Sequence, residues 1–330
     1  MISKKRLKNL SAKPSVSIII PLYVVSERFF EDFKKYSKLK YPKYEILIVC
    51  DKKIPLGRIP KARLVLTHKR KTGPAVKRDI ALTKAKGDIC AFIDDDAYPE
   101  PEWLAEAVKN FKRDDVVAVG GPGTTPPEDK NSEKISGYIY ESFFCSGATQ
   151  NRFVSLKPCY IDDWPAYNLL VRKDVLRSVG GYGCDFYGGE DTFLCNKLIK
   201  KGKIYYEPNA VVFHHRRKLF FDLLKQIGNV GMHRGFFAKK YPETSRKWFY
   251  FLPSALTVGF FLFLLIGIFN VSFMPFFFFS VAFFVTIGMM SVIDKTSLPN
   301  AFVVGIGIIL VHLSYGGYFI KGLLLNKLDR

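Results

Sequence analysis

Three long apolar runs near the end of the sequence constrain the chain more than any other feature. Phe251–Phe269, Phe273–Ile293 and Ala301–Ile320 are each close to the roughly 20 residues that carry a helix across a bilayer. Burying three such runs in succession without a membrane would need an unusually large soluble core. The chain has 330 residues, enough for one large domain plus an apolar appendage. Its 50 Lys+Arg outnumber 30 Asp+Glu. That excess fits either nucleic acid or an anionic membrane surface. Much of it clusters beside the apolar runs, so membrane lipids are the expected partner and nucleic acid is not.

The opening segment, residues 1–14 ("MISKKRLKNLSAKP"), is basic and lacks the apolar stretch of a signal peptide. The region ahead of the spans is therefore expected on the cytoplasmic side of the cell membrane. Basic residues before Phe249 also place that end inside. The turn "NVS" (270–272) then lies outside and "DKTSLPN" (294–300) returns. A third crossing would put the basic tail "KGLLLNKLDR" outside, against its charge. Residues 216–248 mix Lys, Arg and His with Leu219, Phe220, Leu223, Leu224 and Ile227 at helical spacing. This reads as an interfacial amphipathic helix. Six cysteines form no Cys-x-x-Cys pair and read as reduced, packed thiols.

Ahead of these segments, short apolar strands alternate with helices. Strands are expected at 16–20, stopped by Pro21, then at 44–49, 63–67, 89–93 and 116–121. Helices are expected at 26–39, 74–86 and 101–111. That alternation indicates an α/β fold with a mainly parallel sheet covered on both faces. Ligands of such sheets bind at the carboxyl ends of the strands. Asp51 follows the second strand. Asp94, Asp95 and Asp96 follow the fourth. Carboxylates at a strand end are a good seat for Mg²⁺ or Mn²⁺, which take oxygen ligands. In an extended backbone Asp94 and Asp96 share one side. One is then free to bind the ion while the other reaches a ribose.

The stretches "SVSIIIPLY", "EILIVCDKK", "GPAVKRDIALTKAKGDICAFIDDDAYPEPEWL", "NLLVRKDVLRSVGGY" and "YGGEDTFLCNKLIKKGKIYYEPNAVVFHH" occur in that order. Over residues 15 to 215 the chain resembles a family 2 inverting glycosyltransferase with a GT-A, Rossmann-like fold. The resemblance implies a nucleotide-diphosphate-sugar donor and a divalent metal. It places Pro21, Tyr23, Asp51, Arg78, Asp94 and Asp95 around the nucleotide sugar. It makes Asp94 and Asp96 the Asp-x-Asp pair, with Asp96 the direct metal ligand and His214 completing the shell. The position before Asp51 is often Asp in that family and is Cys50 here, and the family commonly has Asn where this chain has Asp79. In the family the Asp of the Glu-Asp pair is the base, so Asp191 is the expected catalytic base, with Glu190 orienting the acceptor.

Trp164 reads either as an acceptor-stacking platform or as a core residue. Arg216 and Arg217 read either as a phosphate clamp or as a basic patch meeting headgroups. His312 reads as a hydrogen-bonded packing residue. The implied layout is a catalytic domain (15–215), juxtamembrane helices (216–248) and a transmembrane region (249–330). The implied activity is transfer to a lipid-linked or glycan acceptor at the cytoplasmic leaflet. A polyprenyl-phosphate sugar synthase is a close variant. A nucleotidyltransferase and a non-catalytic scaffold are readings from other classes. The Gln-x-x-Arg-Trp motif of processive synthases is absent.

Overall fold

The computed structural model describes residues 10–55, 61–68, 71–184 and 188–328. Its first half runs β1 (Val16–Pro21), α1 (Glu27–Lys35), β2 (Tyr44–Cys50), β3 (Ala62–Leu66), α2 (Pro74–Lys84), β4 (Ile89–Phe92), β5 (Ala97–Pro99), α3 (Trp103–Val108), β6 (Val116–Gly120) and β7 (Gly123–Thr124). It continues through α4 (Asn131–Glu141), α5 (Phe143–Ser146), β8 (Cys159–Ile161), β9 (Leu169–Arg172), α6 (Lys173–Ser178), α7 (Glu190–Leu198), β10 (Lys203–Tyr206) and β11 (Val212–His214). Five helices close it: α8 (Phe221–Lys240), α9 (Pro242–Ser245), α10 (Trp248–Phe269), α11 (Met274–Met290) and α12 (Leu298–Leu324).

Two compact units emerge. One comprises the chain up to Thr124 together with Val154–His214. It is built on an eight-stranded sheet of order β3-β2-β1-β4-β9-β6-β10-β8. β1, β2, β3 and β4 are mutually parallel, β9 runs against β4 and β6, and β8 runs against β10. Every residue of β1 and β4 is buried, as expected for strands covered on both faces. Phe29 and Phe33 of α1 cover one face, and Ala81 and Leu82 of α2 cover the other. β1 ends at Pro21, which is itself its last paired residue, opposite Val49. The expected helices at 26–39 and 101–111 are shorter α-helices, each followed by a 3₁₀ turn (Tyr36–Lys38 and Lys109–Lys112).

The order of the strands positions the site. β1 has β2 on one side and β4 on the other, so the direction of strand addition reverses there. A crevice opens at such a reversal, outside the carboxyl ends of the strands. A second sheet of order β5-β11-β7 stands close by. Its β5–β11 pairing sets Ala97 opposite His214.

The other unit comprises Thr125–Phe153 and His215–Arg330. Residues 125–153, inside the expected catalytic domain by sequence, pack with the C-terminal helices. The cause is the apolar face of α4: Ile135, Ile139 and Tyr140 share one cluster with Val304, Ile308 and Val311 of α12. The juxtamembrane helix begins at Phe221, after Leu219 and Phe220. Phe220 sits at φ +65°, where the helix cannot continue. α10, α11 and α12 are the helices, among the described residues, long and apolar enough to cross a membrane.

Candidate active site

The carboxyl ends of β2 and β4 carry the acidic groups, next to the loop that leaves β1. Beyond β4 the three aspartates part company. Asp94 turns to Arg78, whose Nη2 donates to Oδ1 at 2.7 Å. Asp96 turns to His214, with Nε2 3.0 Å from Oδ1. Asp95 turns the other way and accepts from the backbone N–H of Tyr23 at 2.7 Å and of Val24 at 3.4 Å. It thereby fastens the loop after β1. Burial, then the charges of Asp96 and Asp94, push the Asp95 carboxyl up to about 6 against those two amides. Its expected contact with the nucleotide sugar is thus accompanied by a structural role that the sequence does not foretell. Tyr23 itself is 60% exposed at the mouth of this loop, while Pro21 is buried.

Asp94, Asp96 and His214 each offer a ligand atom, and the three atoms lie within 4.8 Å of one another. His214 is stacked on Tyr167 at 4.6 Å, and its Nδ1 is buried without a hydrogen-bond partner. Two carboxylates and an imidazole form a donor set that suits Mn²⁺ and accepts Mg²⁺. The residues present therefore fit the metal that the sequence resemblance implies. The next residue, His215, is paired to Asp129.

Asp51 is held on both oxygens. Oδ1 accepts from the Thr67 hydroxyl at 2.7 Å, and Oδ2 from the Thr72 amide at 3.2 Å and Lys77 Nζ at 3.3 Å. Burial works against its charge, but these partners outweigh it and hold the carboxyl below its ordinary value. Lys77 is a functional candidate that the sequence reading missed. It is 1% exposed and donates to the Leu22 carbonyl at 2.7 Å. A buried lysine between two strand ends signals a ligand of opposite charge or a fixed acceptor. Its only signal in the sequence was adjacency to Arg78 on a helix flanked by Pro74.

Arg78 is the hub. It is buried, with Nη1 3.2 Å from Glu190 Oε1 and 3.6 Å from Asp191 Oδ1. Its charge therefore links Asp94 to the first turn of α7. Burial alone would depress the guanidinium, but Tyr182, Asp94, Asp191 and Glu190 hold it well above its usual value. Gly189, at φ +76°, caps α7 in the left-handed region that favours glycine. Both carboxylates then sit at the helix N-terminus, where the dipole favours negative charge. Glu190 Oε2 accepts from the Gly188 amide at 2.9 Å. Asp191 Oδ2 accepts from the Ala166 amide at 3.0 Å. Asp191 Oδ1 is buried and accepts no hydrogen bond. Burial, then Glu190, raise the Asp191 pKa above the ordinary carboxylate range, and Arg78 and the Ala166 amide only partly offset this. A carboxylate with one oxygen fixed, one idle and a raised proton affinity is suited to take a proton. Asp79, where Asn was expected, accepts from the Tyr182 and Gly183 amides at 2.7 and 2.9 Å. It thus braces the loop ahead of α7 rather than touching the site.

Of the two readings of Trp164, the structure bears out the core one. The residue is 1% exposed, packs on Gly120 and Tyr206, and donates from Nε1 to the Gly121 carbonyl at 3.1 Å. Its ring is core because β6 offers a glycine where any side chain would collide. Trp164→Ala should therefore cost about 3–5 kcal/mol of stability through the cavity left behind. Denaturant unfolding checks this, and an unchanged midpoint would contradict it. Arg216 is not a surface clamp. It is buried, donates from Nε to Thr125 Oγ1 at 3.2 Å, and lies 5.2 Å over Phe153 and 5.7 Å over Tyr140. A buried guanidinium needs such partners, and rings and a hydroxyl supply them. Arg217 is exposed.

This arrangement can be set beside known proteins. The model of glycosyl transferase family 2 matches residues 17–176. Pre-mycofactocin glycosyltransferase of Mycobacterium tuberculosis is 28% identical over 54% of this chain, which spans 38% of that relative's length. A Methanococcus voltae enzyme is 26% identical over 68% of this chain and 74% of its own. It is named dolichyl N-acetyl-alpha-D-glucosaminyl phosphate 3-beta-D-2,3-diacetamido-2,3-dideoxy-beta-D-glucuronosyltransferase. Among solved structures, the mannosyltransferase PcManGT of Pyrobaculum calidifontis superposes with a TM-score of 0.56 at 18% identity. That superposition covers 98% of this chain and 92% of that one. The fold is therefore of the GT-A type: residues 17–176 match glycosyl transferase family 2, and among the described residues three long apolar helices follow.

Proposed function

We propose that this glycosyltransferase moves a sugar, with inversion, from a nucleoside-diphosphate sugar to a hydroxyl of a lipid-carried acceptor at the cytoplasmic leaflet. The observation that carries the reading is the apposition of two groups through Arg78. On one side is the three-ligand cluster of Asp94, Asp96 and His214. On the other is Asp191, with its idle, buried Oδ1. A divalent ion such as Mn²⁺ or Mg²⁺ held by that cluster would supply Lewis-acid stabilisation of the leaving diphosphate. Asp191 takes the proton of the acceptor hydroxyl as its oxygen bonds to the anomeric carbon. The bond from that carbon to the diphosphate breaks on the opposite face, and the nucleoside diphosphate leaves. Arg78 keeps Glu190 and Asp94 in register on either side of the reacting centre. Asp51 and Lys77 stand at the nucleoside end, and Tyr23 at the open edge.

Two observations support the lipid carrier: the long apolar helices, and the dolichyl phosphate in the name of the Methanococcus relative. The Pyrobaculum mannosyltransferase, solved in complex with GDP-Man and Mn²⁺, supports a nucleotide-sugar donor with metal. A lipid phosphate acting directly as acceptor would lean on Arg216 or Arg217 and would need no strong base. Arg216 is buried against Tyr140 and Phe153 while Arg217 is exposed, and the raised proton affinity of Asp191 favours the hydroxyl acceptor.

The test is a thermal-shift panel in detergent with UDP, GDP, dTDP and CDP, each with Mn²⁺ or with EDTA. One nucleotide should stabilise the protein only with metal, by about 2.7 kcal/mol at a hundredfold excess over Kd. Asp96→Asn and His214→Ala should lose that metal-dependent part. Equal shifts with EDTA, or a full shift in both variants, would reject the metal assignment.

A further inference from the structure

α12 has the composition of a membrane span, yet it is lined along its length by helices that are not spans. Asn300, in its first turn, exchanges hydrogen bonds with Asn131 of α4 at 3.0 and 3.3 Å. Gly307 lies against Ile139 of α4, and His312 Nε2 donates to the Phe144 carbonyl at 2.7 Å. From there α8 takes over. Ser314 donates to the Leu224 carbonyl at 2.8 Å, and Lys239 Nζ to the Leu325 carbonyl at 2.6 Å. Between these points the two helices touch backbone to backbone. A Cβ on Gly231 would lie 2.5 Å from the Tyr315 carbonyl oxygen, and one on Gly235 2.1 Å from that of Phe319. From Asn300 to Leu325 the polar ties cover roughly 37 Å of helix, more than the roughly 30 Å of a hydrocarbon core.

If α12 crossed the bilayer, α8 would have to lie inside it alongside. α8 carries Asp222, Lys225, Arg234, Lys239 and Lys240, and it is not among the helices apolar enough to cross. Charges of that number within one helix are not carried into hydrocarbon. Burial separates the helices in the same way. Of the most apolar stretch of each, 44% is buried in α12, against 17% in α10 and 11% in α11. α10 and α11 present Phe261, Leu265, Phe269, Phe276 and Phe279 outward, as lipid-facing helices do.

We infer that α12 does not cross the membrane: it lies at the headgroup boundary with α8, and α10 and α11 alone insert. Its outward residues fit that place. On α12 Phe302, Tyr318 and Leu324 are exposed, with Lys321 Nζ 5.7 Å over the Tyr318 ring, and α8 exposes Lys225, Lys239 and Lys240. Apolar and aromatic side chains that dip into the boundary, rimmed by lysines for anionic lipid, are the chemistry of an interfacial surface. The placement also removes the conflict of charge in the sequence, because the basic tail returns to the side from which α10 enters.

The experiment uses the full-length chain with an epitope tag at each end, in sealed membrane vesicles treated with protease from outside. No described helix ahead of α10 is long and apolar enough to cross, so the N-terminal tag reports the side on which α10 begins. Both tags should be cut, or both protected, in the same vesicle population. Opposite fates would show an odd number of crossings and overturn the inference. A matched pair of variants reads α12 directly. Gly259, mid-way along α10, and Gly317, on α12, both face open space where a Cβ would stand. Gly317→Lys should keep the wild-type yield in the membrane fraction, whereas Gly259→Lys should lose most of it. A loss in Gly317→Lys as large as in Gly259→Lys would equally overturn it.

Discussion

Asp191→Asn is expected to lower transfer by about 10²–10⁴-fold, the usual contribution of a general base, while leaving donor binding intact. The variant keeps an oxygen to accept from the Ala166 amide, so α7 should hold its place. Only the ability to take a proton is removed. The pH dependence follows from the raised pKa of Asp191. The base form accumulates as pH rises through that value, so wild-type activity should climb on the acid side. The residual activity of the variant should lack that limb. Stability moves the other way. A carboxyl whose folded pKa exceeds its unfolded value contributes stability that is complete below the unfolded pKa, and that is lost as pH rises through the folded one. Asn carries no charge, so the variant should be at least as stable as the wild type at neutral pH. The measurements are labelled-sugar incorporation into membrane lipid, using the donor found by the nucleotide panel, and donor affinity by calorimetry. A variant with unchanged turnover, or with lost donor affinity, would sink the role proposed for Asp191.

Arg78→Met should also be strongly damaging, for a different reason. Met keeps roughly the length but removes the guanidinium charge that faces Asp94, Glu190 and Asp191. Removing one partner of a buried charge cluster costs about 3–5 kcal/mol, because the remaining charges are left uncompensated. The lower end is expected, since Asp94 keeps 32% of its side chain in solvent, whereas Glu190 keeps 9%. The carboxylates can relieve that cost only by protonating. The stability gap between variant and wild type should therefore be nearly absent at acid pH and grow as pH rises. Thermal unfolding across pH checks this. A gap that does not change with pH would mean that Arg78 acts by packing on Tyr182, which it overlies at 5.3 Å, rather than by charge.

The site was legible where its chemistry is local. Asp94 and Asp96 stand two apart at a strand end, and Glu190 and Asp191 open a helix after two glycines. Such patterns need only neighbouring residues to be recognised. Lys77 was not legible. A lysine beside an arginine on a helix looks like surface, and only the apposition of β1 and β2 places it under Leu22 and Asp51. Asp95 looked equivalent to its neighbours, but a loop 72 residues away takes its carboxylate. Trp164 and Arg216 had the composition of binding residues and are buried, Trp164 because Gly120 leaves room for the ring. α12 passes every local criterion of a span, and its partners α4 and α8 are remote in sequence.

By itself, then, the sequence determined the alternation of strands and helices, the acidic groups at the carboxyl ends of the strands, and the apolar helices at the end of the chain. Each of these follows from periodicity and hydropathy over a few turns. What only the tertiary structure decided is which groups meet. His214 reaches Asp96 because β11 pairs with β5, Arg78 joins both acidic clusters because α2 and α7 lie at the same end of one sheet, and α12 is covered along its length by α4 and α8. Strand register and helix packing are set by the burial of whole faces, and no short stretch of sequence carries that information.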